Sequence, residues 1–151
     1  MNNALFKAIK DDHQEAKSIL EQLSMTKESD LEKREELFKT FRIAFIPHQK
    51  AEEKTFYKPL LQKKASRDPA LEGMEEHHVA DLVLKELEQQ PKDKDQWGAK
   101  MSVFKELVEH HVQEEESEVF KSATKALSPD EFPQILKQFE EEKQKLKAKG
   151  V

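Results

Sequence analysis

The chain of 151 residues has the length of one domain and enough sequence to bury a core. With 38% charged residues, 36% hydrophobic ones and only 3 glycines, it fits an all-helical protein rich in Glu, Lys, Leu and Ala. A net charge of −5 with both signs interleaved leaves no basic stripe for nucleic acid, and the absence of Cys excludes thiolate and disulfide chemistry. No apolar run approaches the roughly 18 residues that span a bilayer. The opening segment meets Lys7, Lys10, Asp11 and Asp12 too early for a secretory signal, so a soluble cytoplasmic protein is expected.

Periodicity and turn residues predict five helices. The first covers about residues 3–23, with Leu5, Ile9, His13, Ala16, Leu20 and Leu23 on one stripe. A second starts near Leu31 and carries Leu37, Phe41, Phe45, His48, Glu52 and Phe56. Pro47 inside that pattern removes a backbone hydrogen bond and predicts a bend, and Pro59 predicts another irregularity before a loop at residues 63–67. For the third, Asp68-Pro69 reads as an N-cap followed by Pro at the first helical position, with His77, Ala80, Leu84 and Leu87 leading to Gln90. After a turn at residues 91–95, the fourth carries Phe104, Leu107, Val108, His111, Glu115 and Val119 and ends near Leu127. Ser128-Pro129-Asp130-Glu131 reads as a capping box that opens a shorter helix over about residues 129–147. Short loops between four long amphipathic helices predict an all-α, up-down-up-down four-helix bundle over residues 1–127. Residues 128–151 form a C-terminal helix along its outside and a frayed Lys-rich tail.

Two segments repeat one pattern: His48 with Glu52, and His111 with Glu115, each pair four residues apart. On a helix such residues share a face, with Cβ atoms about 5–6 Å apart. The first and third helices add His13 and His77, each followed at the same offsets by small and aliphatic residues. Among the doublets, His111 and Glu115 lie on a cleaner apolar stripe than His110 and Glu114, and His77 on a cleaner one than His78. His78 and His110 read as surface or peripheral residues, and the runs at Glu52-Glu53 and Glu114-Glu115-Glu116 as mostly solvated face with one member each turned inward. A single His on an apolar stripe is more often a hydrogen-bonded core residue than a ligand. Buried carboxylates, however, need a partner, and two of them converging with four imidazoles predict a dinuclear metal site. Imidazole and carboxylate without thiolate suit iron, manganese or zinc, with di-iron the common bundle case.

The stretches Asp12-His13, His48 to Glu53 with Phe56-Tyr57, Glu75-Glu76-His77-His78, and His110 to Glu115 leading to Val119-Phe120 resemble the hemerythrin-like proteins of the HHE cation-binding type. The resemblance covers about residues 5–125. It implies His13, His48, His77 and His111 as terminal ligands, and Glu52 and Glu115 as bridges of two non-haem irons that share an oxo or hydroxo group. Dioxygen or a related small oxidant is the implied partner. Oxygen-carrying members have a further His one turn before the third-helix ligand, where this chain has Gly73, and their fourth-helix acid lies one residue further on. Four His ligands and an additional open coordination position are therefore expected, which weakens the case for an oxygen carrier. The leading expectation is a module that binds or senses an oxidant, as a monomer or weak dimer. An oxygen- or peroxide-reactive enzyme, an iron-handling protein, and a structural zinc or mononuclear site are the alternatives; Asp12, Glu76 and Tyr57 are candidate supports for the ligands.

Overall fold

The computed structural model describes residues 3–150, among which there is no strand. Helix α1 (Ala4–Ser24) is capped by Asn3, whose side-chain Oδ1 accepts from the Phe6 N–H at 3.1 Å. Helix α2 (Leu31–Glu52) runs through Pro47 without interruption, then widens into a π turn, Glu53–Tyr57, and resumes as the short α3 (Lys58–Leu61) that Pro59 helps to open. Helix α4 (Arg67–Gln89) begins earlier than its sequence signal: Ser66, not Asp68, holds the N-cap position, with its hydroxyl given to the Leu60 carbonyl. Helix α5 (Asp95–Glu114) passes into a second π turn, Glu115–Val119, and then α6 (Phe120–Ala126). The expected single second and fourth helices are thus each broken by one widened turn, immediately at or after the glutamate of the His-x-x-x-Glu pair. In these turns the Lys58 N–H bonds the Glu53 carbonyl and the Phe120 N–H the Glu115 carbonyl, five residues back in each case.

The last helix, α7 (Glu131–Ala148), starts with half of the expected capping box in place, since Glu131 Oε2 accepts from the Ser128 N–H at 2.7 Å. It packs against α1 and α2. Phe139 is fully buried there and Lys143 nearly so, which ties α7 to the interior more deeply than an outer strap. The remaining contacts, α1 with α2 and α5 and α4 with α5, complete the bundle. No helix among the described residues is long and apolar enough to cross a membrane.

The apolar interior comes in two separate halves. One gathers Phe38, Phe41, Phe45, Leu84, Trp97 and Phe104 with their neighbours; the other gathers Leu5, Ile9, Phe56, Leu60, Phe120 and Phe139. Between them lies a layer of buried polar side chains.

Candidate metal centre

That layer is made of His13 from α1, His48 and Glu52 from the end of α2, His77 from α4, His111 from the end of α5 and Glu115 from the second π turn. All six are buried, and both glutamates have no exposed surface at all. Ligand atoms of His13, His48, Glu52 and Glu115 lie within 4.8 Å of one another, and so do those of Glu52, His77, His111 and Glu115. The two sets share both glutamates. Each carboxylate divides its oxygens between them. Glu115 Oε1 is 3.0 Å from His13 Nε2 while its Oε2 is 3.5 Å from His111 Nε2. Glu52 Oε2 is 3.5 Å from His48 Nε2 while its Oε1 is 3.2 Å from His77 Nε2.

The outer nitrogens follow an equally regular plan. Each ring's Nδ1 meets an acid: His13 meets Glu116 at 2.7 Å, His48 meets Asp12 at 2.8 Å, His77 meets Glu53 at 2.7 Å and His111 meets Glu76 at 2.8 Å. An N–H donated outward from Nδ1 leaves a lone pair on Nε2 of the neutral ring. Four such lone pairs then converge with four carboxylate oxygens in the buried interior. With the rings neutral in this tautomer, three of those oxygens, both on Glu52 and Oε1 on Glu115, have no hydrogen-bond donor, and the Nε2 atoms of His77 and His111 face each other at 2.9 Å. A set of acceptors this dense with only one O–H among them, that of Tyr57 on Glu115, is the environment of a cation. Buried His and Glu groups here can hold metal.

The Hemerythrin HHE cation binding domain matches residues 4–123. The chain belongs to this family. Its fold is also that of the crystallised hemerythrin HHE cation binding domain-containing protein from Mycobacterium kansasii, the Rv2633c homolog, with a TM-score of 0.83 at 20% identity. The likeness covers 99% of this chain and 90% of that one, so α7, beyond the matched family segment, is included. No curated protein matches the sequence.

Within this hemerythrin-like frame the surrounding carboxylates pull protons onto the four rings. Burial opposes a charge on His48, but Glu52, aided by Asp12, outweighs it and raises the ring's pKa to about 10. His111 is likewise opposed by burial yet raised to about 10 by its hydrogen bonds to Glu115 and Glu76. His13 and His77 are raised for the same reasons, through Glu115 with Glu116 and Glu52 with Glu53. Burial works against the Glu115 charge, but His111 and His13 hold that carboxyl well below its ordinary range. Such a site takes either protons or metal ions.

Every residue singled out as a candidate ligand is therefore brought to one place, while His78 and His110 are exposed. Asp12 and Glu76 sit where their support of a ring was expected. Glu53 and Glu116 were not expected: each follows an inward glutamate and reads as solvent face, yet each turns its carboxylate to a ring on another helix. The sign in the sequence was the doubled acid at both His-x-x-x-Glu pairs. Lys143 was missed as well. Its ammonium bonds both oxygens of Asp12, at 3.0 and 2.9 Å, and so supports His48 at one remove. The expected opening beside Gly73 is filled by Tyr57, which is fully buried and bonds Glu115 Oε2. A Cβ at Gly73 would lie 2.8 Å from the Tyr57 hydroxyl oxygen. Burial, then the Glu115 and Glu52 charges, push the phenol well above its ordinary value, so it keeps its proton in this arrangement.

Proposed function

We propose that His13, His48, His77 and His111 are terminal ligands, and Glu52 and Glu115 bridging ligands, of a non-haem di-iron centre that binds or senses dioxygen or a related small oxidant. The observation that carries this reading is the division of each buried glutamate's two oxygens between two pairs of imidazoles. A single ion would need only one of those sets, and a structural pair of hydrogen-bonded histidines would need neither glutamate unpaired. Imidazole with carboxylate suits iron, manganese and zinc, and bridging carboxylates favour a pair of hard or borderline ions. When bound, a di-iron pair with an oxo or hydroxo bridge supplies binding and redox chemistry towards dioxygen or peroxide.

The chain's own residues set the conditions. The four acids on Nδ1 fix ring orientation and tautomer and make the Nε2 atoms better donors to a cation. The glutamates offset the charge of two cations where water would otherwise be needed. A cavity of about 10 Å³ touches all four imidazoles and is otherwise walled by Ala16, Phe45, Val108 and Val112 among others. That is room for about one water-sized molecule; Asp12 and Gln49 also line it, and its size suits a small oxidant rather than an organic substrate.

The test is metal content after anaerobic purification, followed by the ultraviolet-visible spectrum before and after air. Two irons per chain with oxo-bridge bands on oxygenation support the reading, and reversal under vacuum separates binding from oxidation. One zinc, or one ion per chain, would refute it. Turnover of peroxide that is lost in His77→Ala would make the protein an enzyme.

A further inference from the structure

The arrangement repeats with an approximate twofold plan. Asp12-His13 corresponds to Glu76-His77, and His48 with Glu52-Glu53 to His111 with Glu115-Glu116, with equal spacing in both. The supports also exchange symmetrically, Asp12 serving His48 as Glu76 serves His111, and Glu116 serving His13 as Glu53 serves His77. The same offset pairs Gln49 with Val112, each directly after its imidazole, and both line the small cavity beside the four rings. Val112 belongs to the apolar core there, so packing at this position asks only for an apolar side chain. Gln49 is as deeply buried, at 3% exposure, yet it brings an amide. The other polar groups around the cavity are engaged: Asp12 is bonded by His48 and Lys143, and each ring's Nδ1 meets an acid. The Gln49 amide forms no hydrogen bond among the described residues. Glutamine is seldom buried without a partner, because an amide withdrawn from water and left unbonded destabilises the fold.

We propose that Gln49 selects the small molecule that enters this cavity, its amide N–H donating a hydrogen bond to an acceptor atom of that molecule. This inference rests on the two-metal reading above and names the feature by which the oxidant is recognised. The helix sets the position of the donor. Phe45, Gln49 and Glu53 follow one another at four-residue intervals along one edge of α2. Phe45 walls the cavity, and the Glu53 carboxylate meets His77 Nδ1 at 2.7 Å. Gln49 thus stands between the cavity's apolar wall and the imidazole layer, on a side chain flexible enough to adjust its amide to a ligand. A polar group in a low-dielectric pocket discriminates strongly between ligands that bond to it and ligands that leave it unpaired. The class of ligand is therefore a two-atom oxidant that becomes electron-rich at its outer atom on binding. A purely apolar molecule of the same size leaves the amide unbonded and is disfavoured. The hydrogen bond itself transfers neither a proton nor an electron.

Nitric oxide, added to anaerobic iron-loaded protein, is the probe. In the wild type its N–O stretch should move when the protein is exchanged into deuterium oxide, because the donated proton exchanges. Gln49→Met keeps the length of the side chain but removes the donor. Iron content should stay at two per chain, the stretch should rise and lose its deuterium sensitivity, and nitric oxide should bind about tenfold more weakly. Metal-free Gln49→Met should melt no lower than the metal-free wild type, since the substitution removes an unbonded amide from the interior. A lower melting temperature would give the amide a structural role and overturn the proposal. An unchanged stretch and affinity in a variant that holds two irons would overturn it too, leaving the di-iron reading intact. Wild-type protein that fails to bind two ions would instead overturn the earlier reading, and this inference with it.

Discussion

Stripping the metal should reverse the way stability depends on pH. In protein stripped of metal, the carboxylates raise the rings of His48 and His111 to about 10 from the ordinary 6.5. A raised pKa stabilises the folded state fully below the unfolded value, and that stabilisation is lost as pH climbs through the folded value. For His48, the rise from 6.5 to about 10 converts to on the order of 5 kcal/mol. The four rings share two glutamates, so their contributions do not add fully. In a domain of this size about 5 kcal/mol corresponds to ten or more degrees in Tm. The chelated protein should thus lose of the order of ten degrees between pH 6.5 and 10. On the acid side, Glu115 is held low, so its contribution disappears as pH falls below the ordinary carboxylate range.

The loaded protein should behave in the opposite sense over the same window. A cation needs neutral imidazoles, so protons compete with it near pH 6 and cease to compete as pH rises. Its stabilisation grows with the ratio of free ion to Kd, and Kd falls with each proton that no longer has to be displaced. Calorimetric scans of chelated and reloaded protein at pH 6, 7, 8 and 9 give the separation directly, and binding in weakly buffered solution should release protons. Parallel curves, with a gap that does not widen towards pH 9, would refute the argument that protons and metal occupy the same lone pairs.

Glu52→Ala removes an oxygen from both sets and should reduce bound metal from two ions per chain to one or none; retention of two by elemental analysis would sink the bridging assignment. Lys143→Met leaves Asp12 with His48 as its partner and should cost about 1–3 kcal/mol in urea denaturation. An unchanged midpoint would show that α7 does not secure the centre through this ion pair. Arg34→Met provides a control at the far end of the bundle. Its guanidinium bonds the Thr26 hydroxyl, the Thr26 carbonyl and the Lys92 carbonyl and lies over Trp97, so its loss should cost about 2–4 kcal/mol while metal stoichiometry stays the same.

The inward row Phe41-Phe45-His48-Glu52 could be read because helical periodicity reports which residues share a face, and acids are improbable on an apolar face without a partner. The same reasoning hid Glu53 and Glu116. Each sits about 100° round the helix from its neighbour, so periodicity assigns it to solvent. Only the neighbouring helix, which brings a ring's Nδ1 to that edge, gives it a role. Lys143 was harder still: it lies among several lysines of an amphipathic helix, and its partner is 131 residues away. The π turns escaped for another reason. They insert a single residue into an otherwise helical pattern, and both flanking stretches remain consistent with one helix.

Those turns explain how a duplicated plan becomes an asymmetric site. Widening α2 after Glu52 shifts every later side chain by about one residue's rotation, which carries Tyr57 inward and frees Phe56 for the apolar half that holds Leu5 and Phe120. The second turn applies the same shift after Glu115, but there the corresponding residue is Phe120, which finds Phe6. One backbone device used twice therefore delivers a phenol to one pair of imidazoles and a phenyl ring to the apolar packing beside the other. Gly73 permits the first and Ile9 completes the second. On the His48 side, the Lys143 ammonium partly neutralises Asp12 and so reduces that acid's pull on the ring's proton, whereas Glu76, the equivalent acid, meets only exposed His110 besides His111. The Lys143 ammonium leaves the His13–His48 pair in the less negative surroundings of the two. Under the two-ion proposal, the more weakly supported His13–His48 pair is the one from which a cation should dissociate first, and a chelator titration that removes both ions in one step would refute it.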